Sequence, residues 1–332
     1  MWITVAIVLL LAVVIAVVVE VSRNDDSPEV APTARTGPSP TTAPSATPAD
    51  RGTPDAPRAS SAPPKATSTV CVDSTEDARL HVMTFNIHSA RAGDGSVRLA
   101  TITEEIRRWR ADVVLLQEVD RGRAWTGRVD MPAQLADALG TSWTFGANVR
   151  RSPTNQYGTA ILSRFPITAS RNVPLPAPPG TQQRGLLSAT LDVDGTEVSV
   201  YNTHLEHTSR TARLQQMQAI TQVLATDPRP MVLGGDLNSR PGSPVMNLAG
   251  RHLTDTWPAV GQGPGYTHSA RNPRSRIDYL LHDGGEQADL VPVDAMVLRS
   301  GVSDHWAVRA TYRLVTDSGA VCVPLLDGDD LP

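Results

Sequence analysis

Apolar positions along this chain fall into three regimes. Residues 2–19 form an unbroken apolar or uncharged run. Across 27–69, large apolar side chains almost vanish in favour of Pro, Ala, Thr and Ser. Beyond Cys71, apolar runs of strand length recur at 80–87, 112–119, 157–162, 185–193, 197–203, 231–234, 277–281 and 306–314. Short runs of this kind, bounded by turn residues, predict β-strands. Helical spacing is clear in two stretches. In 97–109, Leu99, Ile102, Ile106 and Trp109 share a face, and in 208–224, Leu214, Met217, Ile220 and Leu224 do so. Glycine turns between adjacent runs, as at Asp192-Val193-Asp194-Gly195, favour hairpins over a purely parallel array. The expected architecture is α/β, with two packed mixed β-sheets flanked by helices.

The same regimes set the domain boundaries. As a helix, the first run extends roughly 27 Å, close to the hydrocarbon thickness of a bilayer. No Lys or Arg precedes it, and Val-Val-Glu-Val follows it where a cleavage site would need small residues. Residues 1–22 are therefore expected to be an uncleaved, single-pass transmembrane anchor. Residues 23–70 read as a linker too poor in apolar side chains to repay ordering, stiffened by proline into a stalk. The catalytic domain is expected over 71–316, followed by an acidic tail at 317–332. Cys71 and Cys322 are the only cysteines. Bonded to each other they would join the two ends of the fold and place it in an oxidising, extracytoplasmic compartment.

Charge narrows the partner classes. Residues 71–316 hold 25 Arg and no Lys against 24 Asp plus Glu, a net charge near +1. Tight, sequence-independent binding of duplex DNA would call for a basic excess, so nucleic acid is not indicated by charge. The domain is expected to be monomeric and held at the cell membrane by the first segment.

The candidate chemistry sits where the predicted strands end. Asn86, Gln117-Glu118, His204, Asp236-Leu237-Asn238, Asp278 and Ser303-Asp304-His305 each close or follow an apolar run. Rigid strands of one sheet rim present catalytic groups in this way. A hard divalent ion takes carboxylate and amide oxygens, which Glu118, Asp304 and Asn86 can supply. No cysteine and histidine cluster with zinc spacing is present. Hydrolysis of a phosphoester needs a base for water, an acid for the leaving oxygen and donors for the equatorial oxygens. Asp236, His305, Asn238 and His204 are groups of those kinds. His81 and His88 read more simply as half-buried structural histidines, and Glu206 and His207 as a solvated helix start.

Seven segments occur in order. They are Thr84-Phe85-Asn86-Ile87-His88, Leu116-Gln117-Glu118-Val119, Tyr157-Gly158-Thr159-Ala160-Ile161-Leu162-Ser163, Asn202-Thr203-His204-Leu205, Gly235-Asp236-Leu237-Asn238, Arg276-Ile277-Asp278-Tyr279 and Ser303-Asp304-His305. Together they resemble the motif set of the endonuclease/exonuclease/phosphatase family over about 80–314. The resemblance implies a DNase I-like four-layered sandwich and a Mg²⁺- or Mn²⁺-dependent phosphoester hydrolase. It implies that Glu118 is the principal metal ligand, with Asn86 and Asp304 completing the shell. Asp236 then orients or deprotonates water, Asn238 donates to phosphate, and His305, held by Asp278, contacts a phosphoryl oxygen or shuttles a proton. His204 falls on the other side of the phosphate, and Arg184, Tyr157 and His268 contact substrate.

The family includes phosphatases, lipid phosphodiesterases and nucleases, so fold does not choose among substrates. Arg150-Arg151 and the group Arg271, Arg274 and Arg276 could grip a headgroup or a nucleic-acid backbone. The chain is also similar to members grouped with glycolipid-anchor remodelling proteins. A lipid-derived, extracytoplasmic phosphoester is the leading substrate, a membrane-tethered endonuclease or exonuclease the alternative, and a non-catalytic surface binding module the third reading.

Overall fold

The computed structural model describes residues 68–72, 78–269, 271–285, 288–316 and 321–325. The expected anchor and most of the linker lie outside these residues. In chain order the first half comprises β1 (Ser68–Val72), β2 (Ala78–Asn86), α1 (Leu99–Trp109), β3 (Val113–Arg121), α2 (Met131–Leu139), β4 (Ser142–Ser152), β5 (Asn155–Ser163) and β6 (Ile167–Pro174). There follow β7 (Gly185–Val193), β8 (Thr196–His204), α3 (Arg210–Leu224), β9 (Met231–Asp236), α4 (Pro244–Ala249), β10 (Thr254–Asp255) and α5 (Thr256–Val260). The last elements are β11 (Asp278–Asp283), β12 (Ala288–Leu298), β13 (Ala307–Thr316) and β14 (Val321–Leu325).

Two six-stranded sheets carry the domain, ordered β12-β13-β2-β3-β5-β4 and β10-β11-β9-β8-β7-β6. Among the described strands only β2–β3 and β8–β9 pair in parallel, and each parallel pair sits near the middle of its sheet. Both pairs finish at one rim, where the last residue of β2 meets the last residue of β9. The Asp194-Gly195 turn has φ of 51° and 90°, the two positive angles a tight two-residue hairpin needs, and it joins β7 to β8.

Side-chain alternation along the central strands builds the layers. Leu80 and Val82 of β2, Val113 and Leu115 of β3, and Val198 and Val200 of β8 face inward to form the core between the sheets. The alternate residues Met83, Phe85, Val114 and Leu116 face outward and pack under Ile102, Ile106 and Trp109 of α1 and Leu135 of α2. On the far side, Tyr201, Leu233, Tyr279 and Leu281 pack under Met217, Ile220 and Leu224 of α3 and Met246 of α4. The central strands are covered on both faces, giving helices, sheet, sheet and helices in four layers. Leu214 was expected on the inner face of α3 but is 38% exposed, and Arg213 and Gln216 are buried in that turn instead.

Towards the rim that holds the strand ends, the inter-sheet layer changes character. Thr84, Gln117, Asn202 and Gly234 replace the aliphatic side chains of the far end. Gln117 Nε2 donates to Asn202 Oδ1 at 2.8 Å and to Thr84 Oγ1 at 3.0 Å. Asn202 Nδ2 donates across to the main-chain oxygens of Leu116, 2.9 Å, and Ala160, 2.8 Å. Those carbonyls flank a β-bulge, because the β3–β5 register shifts between Leu116 and Val119. Gly234 brings the sheets close: a Cβ there would fall 2.5 Å from Leu115 Cδ1.

The pairing runs past both boundaries drawn from composition. β1 begins inside the expected linker and β14 lies inside the expected tail. The two strands pair antiparallel, with Cys71 directly opposite Cys322 in the register.

Candidate active site

Three site residues end the strands of the parallel pairs, Asn86 on β2, His204 on β8 and Asp236 on β9, while Glu118 lies within β3, one residue past the last that pairs with β2. In the second sheet His204, Asp236 and Asp278 are register partners side by side. Glu118 does not follow the pleat. It lies in the β3 bulge with φ of 56°, a left-handed conformation disfavoured for a side chain of its size. Asn238 has φ of 47°, and its N–H donates to Asp236 Oδ1 at 2.9 Å. Backbone strain of this kind persists where the surrounding structure holds it, and here it aims two polar side chains at one rim.

Asn86 joins the two halves. Its Nδ2 donates to Glu118 Oε1 and to Asp236 Oδ2, both at 3.1 Å, while its Oδ1 accepts the N–H of His88 at 3.1 Å. Asn86 was expected to face the cluster through oxygen. It presents nitrogen to the carboxylates instead, because the following turn uses the oxygen.

On the opposite side His305 Nδ1 and Asp278 Oδ2 are 2.9 Å apart, and His305 Nε2 lies 3.7 Å from Asp236 Oδ2. His204 Nε2 approaches that same Asp236 oxygen at 3.5 Å. Ser303 holds this segment against β2, donating to the Asn86 carbonyl at 2.6 Å and accepting the His305 N–H at 3.1 Å. The His268 ring lies 4.6 Å from that of His305, centroid to centroid.

The electrostatics divide the groups. Burial works against charge on His305, but Asp278, Asp236 and Asp304 overcome it and hold the imidazolium well above the usual histidine range. Burial and the Asp278 carboxylate push Asp236 upward, opposed by His305, the Asn238 N–H and the Asn86 amide. His204 is held neutral by burial and by the neighbouring charges of Arg184 and His305. His268 is shifted the same way by burial and His305. Tyr157 keeps its phenolic proton because of burial and the Glu118 charge, which places its hydroxyl in the field of the site.

Two triads bring ligand atoms within 4.8 Å of one another: Asp236, Asp278 and His305, and His268, Asp304 and His305. Both include His305, and a protonated imidazole has no lone pair for a cation. Glu118 and Asp304 are both half-buried, and carboxylate oxygens of this kind suit a hard ion better than an imidazolium does. The donor set fits such an ion, since the carboxylates of Glu118 and Asp236 converge on the single neutral amide of Asn86, with the nearest cation, His305, 3.7 Å from Asp236.

Other expectations meet mixed outcomes. Arg184 is 3% exposed beside Glu206, Nε to Oε2 3.7 Å, and its Nη2 lies 3.4 Å from His207 Nδ1. Glu206 is no solvated helix start, since it is buried and accepts the N–H and hydroxyl of Thr208. Arg276 cannot grip substrate: it is buried in a two-pronged pair with Asp255 at 2.9 and 2.8 Å. Arg150, Arg151, Arg271 and Arg274 are exposed. His81 is structural as expected, bonded to Thr311. His88, read as structural, lies at the rim with Nδ1 3.3 Å from Asp304 Oδ1. Three consecutive residues with positive φ, His88 to Ala90, put it there, and no side-chain pattern announces such a turn.

The sequence profile of the endonuclease/exonuclease/phosphatase family matches residues 83–305, from the middle of β2 to the histidine of this site. The chain belongs to the endonuclease/exonuclease/phosphatase family. Members of this family are phosphoester hydrolases. A crystal structure of an endonuclease/exonuclease/phosphatase from Beutenbergia cavernae is 32% identical, with a TM-score of 0.58, covering 72% of each chain. Protein cwh43 of Schizosaccharomyces pombe is 30% identical over 151 residues, 45% of this chain, which spans 15% of that protein's length. Tyrosyl-DNA phosphodiesterase 2 of Gallus gallus is 23% identical over 260 residues, covering 70% of this chain and 67% of that protein.

Proposed function

We propose that this chain is a divalent-metal-dependent phosphoester hydrolase acting on an extracytoplasmic, lipid-derived substrate. The observation that carries the reading is the convergence of Glu118 and Asp236 on Asn86, facing a protonated His305 backed by Asp278. Glu118 and Asp304 would hold Mg²⁺ or Mn²⁺, with Asn86 fixing the Glu118 carboxylate. When bound, the ion supplies positive charge to the phosphate and its leaving oxygen.

The remaining work falls to side chains of this chain. Asp236 is buried and poised to accept a proton from water, since its own charge is disfavoured by burial and Asp278. Its oxygen Oδ1 is held by the Asn238 N–H, which leaves Oδ2 turned to the histidines. His305, charged, donates to a phosphoryl oxygen, and Asp278 fixes its ring. His204, neutral, and the Tyr157 hydroxyl offer further donors, with Arg184 behind them. Placement outside the cytoplasm is supported by the apolar run 2–19, the proline-rich stretch and the two opposed cysteines. None of the described helices is long and apolar enough to cross a membrane.

The test is hydrolysis of bis-p-nitrophenyl phosphate and of phospholipids with Mg²⁺ or Mn²⁺, and its loss in EDTA. Glu118→Gln and Asp236→Asn are each expected to lower kcat at least about a hundredfold if they stabilise the transition state. Full activity in either variant, or in EDTA, refutes the assignment. Plasmid nicking at low salt without phospholipid hydrolysis would transfer the reading to a nuclease.

A further inference from the structure

Several arginines of this fold are held beside carboxylates. Arg184 sits beside Glu206, Arg229 beside Asp227, Arg276 beside Asp255, Arg164 beside Asp112 and Arg121 beside Asp130. Among the arginines without such a partner, three stand together. Arg210, Arg213 and Arg240 line one cavity of about 560 Å³ that also includes Leu214, Asn238 and Ser243, and no Asp or Glu contributes to its wall. Among the described residues none of the three lies within ion-pair distance of a carboxylate. Arg213 is 9% exposed and gives one donor to the Glu206 carbonyl at 2.8 Å. Arg240 donates to the Ser275 hydroxyl at 3.2 Å.

Concentrating guanidinium groups in this way is unfavourable for the free protein. Burial and the neighbouring Arg210 both work against the charge of Arg213, opposed by the Glu206 and Asp236 carboxylates, and the balance stays against the charge. The amino end of α3, a fifteen-residue helix capped by Ser209, adds positive potential at Arg210. Such a wall is complementary to a multiply charged oxyanion, and planar forks match phosphate in pairs. The cavity adjoins the reaction centre, because Asn238 lines it and donates through its backbone to Asp236. Its volume exceeds what one phosphate group fills and lies in the range of a ligand-sized site.

We infer that this cavity binds a second phosphate of the substrate, so that the phosphoester hydrolysed at Asp236 carries at least one further phosphate group. The inference rests on the hydrolase reading above and names the substrate class for that same site. The second phosphate has two chemical sources, a nucleotide or a phosphorylated polyol headgroup, and matched substrates separate them.

The first arm compares thymidine 5′-p-nitrophenyl phosphate with the same compound carrying a 3′-phosphate. The second compares inositol 1-phosphate with inositol 1,4-bisphosphate. A preference in kcat/KM of at least about tenfold for the bisphosphorylated member is expected in one arm, equivalent to one net charge-assisted contact. In Arg210→Gln/Arg240→Gln that ratio should fall towards one. Equal rates for both members of both pairs, or a preference that survives the double substitution, overturn the inference.

A binding measurement separates this outcome from failure of the hydrolase reading. Inositol hexakisphosphate is titrated calorimetrically in EDTA into the wild-type protein and the double variant, each shown to be folded by circular dichroism. The variant should bind at least about tenfold more weakly if two guanidinium contacts are lost. Equal affinity overturns the inference even if no substrate is hydrolysed.

Discussion

Replacing Asn202 by leucine isolates the polar link between the sheets. The side chain is fully buried and close to leucine in volume, so the change is mainly one of hydrogen bonding. Two carbonyl oxygens, those of Leu116 and Ala160, lose their donor, and Gln117 loses one of three acceptors. Each buried carbonyl left unpaired costs about 1–3 kcal/mol, for a sum of about 2–6 kcal/mol. The extra apolar burial returns about 1–2 kcal/mol, leaving a net loss of about 3 kcal/mol. For a domain of this size that lowers Tm by roughly 6–12 °C. Urea unfolding followed by tryptophan fluorescence, with an unchanged m-value, measures it directly. A loss below about 1 kcal/mol would show that the bulge carbonyls find other partners and that the amide link is dispensable.

Three further outcomes follow from the geometry. Gly158→Ala places a Cβ 1.8 Å from the Gly146 carbonyl oxygen across β4–β5, so it should cost about 2–3 kcal/mol in the same assay. Asp227 accepts from Tyr201 and Arg229, and despite the opposing effect of burial these bonds hold its carboxyl down to about 2. Its contribution is therefore present above the usual value near 3.8 and is lost as pH falls towards 2. Asp227→Asn should lower stability by about 1 kcal/mol at pH 7 and flatten the acid limb of the stability curve, as read by denaturation between pH 2 and 7. The His305–Asp278 pair has the opposite sign. Its stabilisation is complete below the ordinary histidine value and fades as pH rises through the elevated folded one. In Asp278→Asn the His305 pKa, followed by NMR, should fall by at least about one unit, because a contact carboxylate shifts a neighbour by that much or more.

The central strands were legible because both of their faces are covered and their apolar runs are dense. β4, β6 and β12 were not, and all three lie at sheet edges. β6 reads Ile-Thr-Ala-Ser-Arg-Asn-Val-Pro and is largely exposed, while β12 contains Pro292 beside a register shift. Such strands are defined by the neighbour they bond to, not by their own pattern. α2 carried signals that periodicity alone overlooks: Asp130 caps it, Pro132 sits in its first turn and Gly140 ends it with φ of 68°. Within the site, the strand-end carboxylates and His305 stood out by residue type and position. The pairing of Arg276 with Asp255 and the burial of Glu206 against Arg184 could not be read from the chain, because both depend on segments brought together by the sheets.

The parallel pairs leave Asn86 and Glu118 on one sheet and His204, Asp236 and Asp278 on the other. The groups to which we assign the chemistry therefore straddle a seam. Any slide of one layer against the other, even a fraction of an ångström caused by repacking deep beneath, changes the spacing between the two halves of the chemistry. Turnover rate should then act as a strain gauge for the interior, registering distant aliphatic substitutions that leave melting curves almost untouched.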